Sequence, residues 1–165
     1  MLTLLLLLQL NILHPKPLYH DGLRETAHSW IVVHSTESCS TVKSVIDYLR
    51  KTKKSYHFII DRNGIVSQLV DPQWMGSHAG LSFYGGVWHW NRFGIGISFM
   101  QCKDQIYTEA QYKSGKLLVQ MLARRYPDIT KDRIIAHSTI AFWRGRKHDP
   151  GKNFDMSRIL PLDKP

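Results

Sequence analysis

Short apolar runs broken by turn residues fill most of the chain, and helical spacing appears twice between them. Ser29-Trp30-Ile31-Val32-Val33-His34 is β-branched and aromatic and closes on polar Ser35-Thr36, which predicts a core strand over 29–36. Val42, Val45, Ile46 and Leu49 recur at helical intervals. Ser38 or Ser40 is the expected cap of that helix, and Arg50, Lys51, Lys53 and Lys54 supply the positive charge its C-terminus favours. Tyr56 to Ile60 and Ile65 to Val70 flank Asp61-Arg62-Asn63-Gly64, a hairpin signature in which Asn-Gly provides the positive φ values. Residues 71–93, rich in Gly, Trp and His, read as a long functional loop. Gly94 to Met100 is a further strand whose two glycines permit close backbone packing.

Thr108-Glu109-Ala110-Gln111 has the capping-box pattern and opens the strongest helix. Tyr112, Leu117, Leu118, Met121, Leu122 and Tyr126 give that helix a broad apolar stripe, and Pro127 stops it. Arg133-Ile134-Ile135-Ala136-His137 is a short apolar segment that delivers a histidine, and the tail from Phe154 to Leu160 has room for a last helical turn. The order β-α-β-β-β-α with a loop-rich end predicts a mixed α/β (α+β) fold, a central mixed sheet flanked by helices.

Leu2 to Leu8, continuing through Leu10, Ile12 and Leu13, is apolar but shorter than the ~20 residues a spanning helix needs. Its length suits a signal-peptide core, yet no Lys or Arg precedes it and no small-x-small site follows before His14-Pro15. Residues 1–16 are therefore set apart as an apolar leader of uncertain role, without a stable membrane span. Residues 17–165 are expected to form a single domain, monomeric, within reach of one sizeable core.

Composition narrows the class only modestly. With 43% hydrophobic and 21% charged residues the chain is an ordinary globular one, and its net charge of +9 invites an anionic partner. The lysines and arginines are spread out and no nucleic-acid motif accompanies them, so a basic nucleic-acid-binding domain rests on charge alone and no nucleic-acid partner is expected. Cys39 and Cys102 form no CxxC pair and no disulfide scaffold, and are expected as small buried or half-buried residues.

The candidate chemistry gathers at three points. His34 ends the first strand, His137 ends the segment after Ile134-Ile135-Ala136, and Asp149 precedes a Pro-Gly turn. Two neutral imidazoles and a carboxylate are a ligand set of hydrolytic zinc, with a fourth position left for water. If 147–149 is extended, Lys147 leaves on the same face as Asp149. No HExxH or HxxxH is present, and with nine histidines in the chain such spacing does not by itself select a ligand.

The motifs themselves resemble a known family. Trp30 to Thr36, Ser55 to Gly64, Gly76-Ser77-His78-Ala79-Gly80, Gly94-Ile95-Gly96-Ile97, Thr108 to Gln111, Ala136-His137-Ser138 and Gly145 to Gly151 occur in the order found in the N-acetylmuramoyl-L-alanine amidase type 2 family, over roughly residues 29–156. That family includes murein-recycling amidases, phage endolysins and peptidoglycan recognition proteins. The resemblance implies a zinc amidase with His34, His137 and Asp149 as Zn2+ ligands. It further implies that Tyr56 stands beside the metal, that Lys147 neutralises the oxyanion of a tetrahedral intermediate, and that His78 lines the groove and contacts the muramyl-peptide. The substrate would be peptidoglycan or a muropeptide, cut between N-acetylmuramic acid and L-alanine. Action would be at the cell wall, in periplasm or envelope or delivered by phage, rather than in cytoplasmic recycling.

Three departures accompany the resemblance. Ser98 stands where many members carry a Glu thought to help proton transfer, with Glu37 as an alternative carboxylate. The segment from His137 to Asp149 is longer than the recycling-enzyme pattern, so His148 competes with Asp149 as third ligand, Asp149 being favoured. The loop from Leu81 to Arg92 is unusually aromatic, which suits stacking on sugars and a packed flap equally. The rival reading is a recognition module on the same fold that binds the wall without cleaving it.

Overall fold

The computed structural model describes residues 10–25, 29–143 and 145–160. Leu2 to Leu8 of the apolar leader, and Arg144 of the basic stretch, lie outside the described residues. The strands are β1 (Ile12–Leu13), β2 (His20–Leu23), β3 (Trp30–Ser35), β4 (Phe58–Ile60), β5 (Val66–Gln68), β6 (Trp74–Gly76), β7 (Phe83–Tyr84), β8 (Val87–Trp88), β9 (Gly94–Phe99) and β10 (Ile134–Ala136). The α-helices are α1 (Val42–Thr52), α2 (Glu109–Arg125) and α3 (His137–Ile140), and a 3-10 turn at Met156–Ile159 ends the fold.

Six strands form one mixed sheet in the order β1-β5-β4-β9-β3-β10. All neighbours run parallel except β4 and β5, which are the hairpin around Asn63-Gly64. Gly64 has φ +81°, and a Cβ there would come within 2.7 Å of the Ala110 carbonyl, so this turn requires glycine on both counts.

The central strands alternate between two different environments. Ile31 and Val33 of β3, Phe58 and Ile60 of β4, and Ile95, Ile97 and Phe99 of β9 pack with Leu118, Val119 and Leu122 of α2. Each such side chain, fully buried, stabilises the fold by about 1.5–3 kcal/mol. Ile59 faces the other way and packs with Val45, Ile46 and Leu49 of α1. Both faces of the sheet are thus covered by helices. On that second face β9 presents only Gly94, Gly96 and Ser98, and the sheet is left with a trough.

Local chemistry sets the helix ends. Thr108 accepts from the Gln111 N–H while Gln111 returns the bond to the Thr108 N–H, the reciprocal box that the sequence indicated. The cap of α1 is Thr41, whose hydroxyl accepts from the Ser44 N–H, and not Ser38 or Ser40. The 71–93 segment also differs from a bare loop: β6 pairs with β2, and β7 and β8 form a hairpin with a Gly85-Gly86 tip. Both of its strands are exposed, so no buried face marked them in the sequence.

The cysteines require a correction. Cys39 and Cys102 are joined in a disulfide, with Cα atoms 4.4 Å apart. Their strands, β3 and β9, are parallel neighbours, so the loops that follow leave the sheet at the same edge and meet there. Spacing of 63 residues carries no sign of this. Among the described residues, no helix is long and apolar enough to cross a membrane.

Candidate metal centre

The C-terminal ends of β3 and β10, again parallel neighbours, bring His34 and His137 to one edge of the sheet. Asp149 reaches them from the loop after α3. Its carbonyl accepts from the Ser138 N–H, and the carbonyl of Pro150 accepts from the buried Tyr107 hydroxyl over 2.6 Å. His34, His137 and Asp149 have 0%, 3% and 3% of their surface exposed. One ligand atom from each lies within 4.8 Å of the others, and His148 is exposed outside the group.

The hydrogen bonds determine which nitrogen is bare. His78 Nε2 lies 3.0 Å from the Gly94 carbonyl, which only accepts, so that nitrogen carries the proton. Neutral His78 then offers a bare Nδ1, 3.0 Å from His34 Nε2, which must donate. His34 Nδ1 is left bare and faces Asp149 Oδ2 at 3.0 Å. His137 follows the same logic: Nε2 donates to the Ala79 carbonyl at 3.1 Å, and Nδ1 faces both carboxylate oxygens at 3.0 Å. Burial, followed by repulsion from His137, holds the His34 imidazole neutral down to about 4. His78 is pushed well below the ordinary histidine value, again by burial first and by His34 second.

Two lone pairs and a carboxylate therefore point at one another in a dry place. Such a set repels itself unless a cation lies between its members. The 3.0 Å separations are near the roughly 3.3 Å edge of a tetrahedron with zinc-ligand bonds of ~2.0 Å. The donor set fits a metal ion.

In front of the three residues opens a cleft of about 670 Å³, walled by Thr36, Glu37, Tyr48, Tyr56, Gly80 and Lys147 among others. Lys147 is half-buried, and its charge contributes to keeping His34 neutral. Tyr56 packs its ring 5.0 Å from that of His34. Burial, with the Asp149 charge second, pushes its phenol above the ordinary value, so it stays a neutral donor. Ser98 is fully buried on the sheet behind, near the Tyr56 hydroxyl, while Glu37 is exposed at the rim. His78 borders the cleft but is 9% exposed, and both of its ring nitrogens are engaged inward. The aromatic hairpin lies to one side, with the Trp88 ring tilted against those of Phe83 and Phe142 and with Leu81 accepting from Arg146 at the rim.

Sequence reasoning brought forward His34, His137, Asp149, Lys147, Tyr56 and His78; the last five border the cleft, and His34 lies fully buried behind them. It missed the supports: the Ala79 carbonyl, Tyr107, His57 and Asn91. His57 accepts from the Gly96 N–H and donates to the Trp74 carbonyl, and Asn91 Oδ1 accepts from the N–H groups of His78 and Ala79. A backbone carbonyl leaves no mark in a sequence, whereas His57 stood within the Ser55 to Gly64 motif.

Comparisons with known proteins agree with this geometry. The family model described as N-acetylmuramoyl-L-alanine amidase matches residues 24–152. The 1,6-anhydro-N-acetylmuramyl-L-alanine amidase AmpD of Haemophilus influenzae is 42% identical over 106 residues, 64% of this chain and 56% of the relative. The AmpD of Escherichia coli is 38% identical over 108 residues, 66% of this chain and 57% of the relative. The chain thus spans little more than half the length of these relatives. Among solved structures, an AmpD derivative superposes with a TM-score of 0.75 at 28% identity, covering 91% of this chain and 92% of that one. The amidase AmiD of E. coli, solved with anhydro-N-acetylmuramic acid-L-Ala-D-γ-Glu-L-Lys, gives 0.71 at 25% identity over 82% and 59%. A Clostridium intestinale endolysin amidase shares the fold at a TM-score of 0.70 and 22% identity, over 90% of this chain and 92% of that one. With the family model covering most of the chain and the same fold recurring among these amidases, the protein belongs to the N-acetylmuramoyl-L-alanine amidase family.

Proposed function

We propose that the protein is a zinc-dependent amidase that hydrolyses the bond between N-acetylmuramic acid and L-alanine in peptidoglycan or its fragments. The observation that carries this reading is the buried convergence of His34, His137 and Asp149 at the floor of an open cleft. A zinc ion held by these three residues supplies a water of lowered pKa and a Lewis acid for the amide carbonyl. Lys147 places a fixed positive charge where the carbonyl oxygen gains negative charge, and a cation preorganised in a site screened from water is worth far more than one in solvent. Tyr56, kept neutral, donates a hydrogen bond to the carbonyl or to the attacking water and orients it. The leaving group is the amine of L-alanine, which takes up the proton released by the water.

Residues 17–165 act as one catalytic unit and as a monomer. The net charge of +9 suits a wall rich in stem-peptide carboxylates. The Cys39–Cys102 disulfide favours an oxidising compartment such as periplasm or envelope over the cytoplasm. A second reading, a recognition module that binds without cutting, draws its support from Ser98, which leaves the site without the glutamate many members carry.

The test is mass spectrometry of intact peptidoglycan, and separately of anhydro-muropeptides, after incubation with the protein, with and without a zinc chelator. Stem peptides beginning with L-alanine, lost with chelator and restored by zinc, are expected. Wall binding with no released peptide from either substrate, despite bound zinc, would establish the recognition module instead.

A further inference from the structure

Over Gly96, the trough on the second face of the sheet is filled by the ring of His78. A Cβ on Gly96 would sit 2.7 Å from His78 Cγ, and one on Gly94, after meeting Val32 and the Trp90 carbonyl, would sit 3.3 Å from its Cε1. Asn91 clamps the backbone of the same residue and of Ala79 through a single carbonyl oxygen. The ring thus lies in a slot cut for it, with Nε2 on the Gly94 carbonyl and Nδ1 on His34 Nε2. Neither nitrogen is left for a substrate.

We propose that His78 is a positioning residue for the metal ligand His34, not a groove residue that contacts the muropeptide. Its bare Nδ1 accepts the hydrogen bond from the His34 Nε2–H, fixes the tautomer that leaves His34 Nδ1 free, and sets the plane of that imidazole. The Gly94 carbonyl fixes the tautomer of His78 in turn, so the order runs from strand backbone to His78 to His34. Groups that orient a ligating histidine through its second nitrogen typically account for about 10–100-fold in metal affinity. The inference rests on the metal reading above.

The experiment measures zinc affinity of the full chain by competition with a chromogenic chelator, for wild type, His34→Ala, His78→Phe and His78→Gln. Thermal melting of the metal-free forms controls for folding. Phenylalanine fills the slot without nitrogens and is expected to weaken zinc binding about 10–100-fold. Glutamine, which both accepts and donates, is expected to recover most of that loss, and the visible spectrum of the cobalt-loaded protein is expected to change with Phe and return with Gln. An unchanged affinity for His78→Phe, with a raised KM for muropeptide, overturns the inference and restores the groove role. If His78→Phe does not fold, His78→Leu, smaller and also without nitrogens, takes its place: weaker zinc binding supports the inference, and unchanged binding overturns it. No zinc on the wild type overturns the metal reading itself, an outcome distinct from wild-type binding that His78 does not influence.

Discussion

His34 and Ser98 are register partners on the parallel strands β3 and β9, both fully buried and both directed to the sheet face that holds the metal centre. Ser98 puts a hydroxyl at this position, and Glu37, the carboxylate at the rim, is exposed. If Tyr56 and Lys147 suffice for the chemistry, Ser98→Ala should keep turnover within about fivefold of wild type, because losing a true general acid or base costs about 10²–10⁴. Steady-state release of stem peptide measures it. A hundredfold loss would place Ser98 in the proton path.

Lys147→Met should lower kcat by about 10²–10³ with zinc content unchanged, the size expected when one oxyanion contact is removed. Metal analysis beside the kinetics separates this outcome from simple loss of the ion.

Asp149→Asn should abolish stable zinc binding and yet stabilise the metal-free protein. Without a cation, the Asp149 oxygens confront two bare nitrogens at 3.0 Å, whereas an amide NH₂ can donate to one of them. A gain on the order of 1 kcal/mol in metal-free unfolding free energy is expected. A loss of similar size would mean that the imidazoles carry protons toward Asp149.

Acid should destabilise the metal-free fold well before its carboxylates titrate. His57 is buried, and desolvation holds it neutral down to about 4, against 6.5 in a free chain. Between those values the unfolded chain binds the proton and the folded one does not, so stability is complete above about 6.5 and falls as pH drops toward 4. His34 adds in the same direction. For His57 alone the full window amounts to about 3 kcal/mol, readable from urea unfolding at pH 7 and pH 4.5. A flat profile across that window would contradict neutral burial.

Replacing Cys39 and Cys102 by serine together should cost about 2–4 kcal/mol, since the bond closes a long loop of the unfolded chain. Chemical denaturation of the double variant measures it, and a cost below about 1 kcal/mol would argue that the bond adds little to the fold.

Local pattern was legible where neighbours in sequence determine the outcome. The apolar runs of β3 and β9, the Asn63-Gly64 hairpin and the Thr108 capping box each appear where periodicity and turn chemistry put them. His34 and His137 were legible as ends of apolar segments and Asp149 by the Pro-Gly turn after it, and the resemblance weighted all three as candidates. What escaped depends on strand order. Only the adjacency of β3 and β9 joins Cys39 to Cys102, and only the absence of a side chain at Gly96 leaves room for the His78 ring to reach His34. The edge strand β1, drawn from the end of the apolar leader, likewise exists only because β5 offers it a free edge.

His78 and Ala79, adjacent in the chain, each hold one of the two imidazoles, the first with its ring and the second with its carbonyl. The segment Gly76 to Gly80 is in effect a gauge block, and its length is the critical dimension. One residue inserted or removed there would hand both imidazoles the wrong partner simultaneously, so metal binding would vanish as a unit and not by halves. At the Gly85-Gly86 tip a Cβ on either glycine meets no atom within 4 Å, and the same change in length would be absorbed. Within this one region of the chain, then, evolution is free to vary the tip but has to keep count at the base.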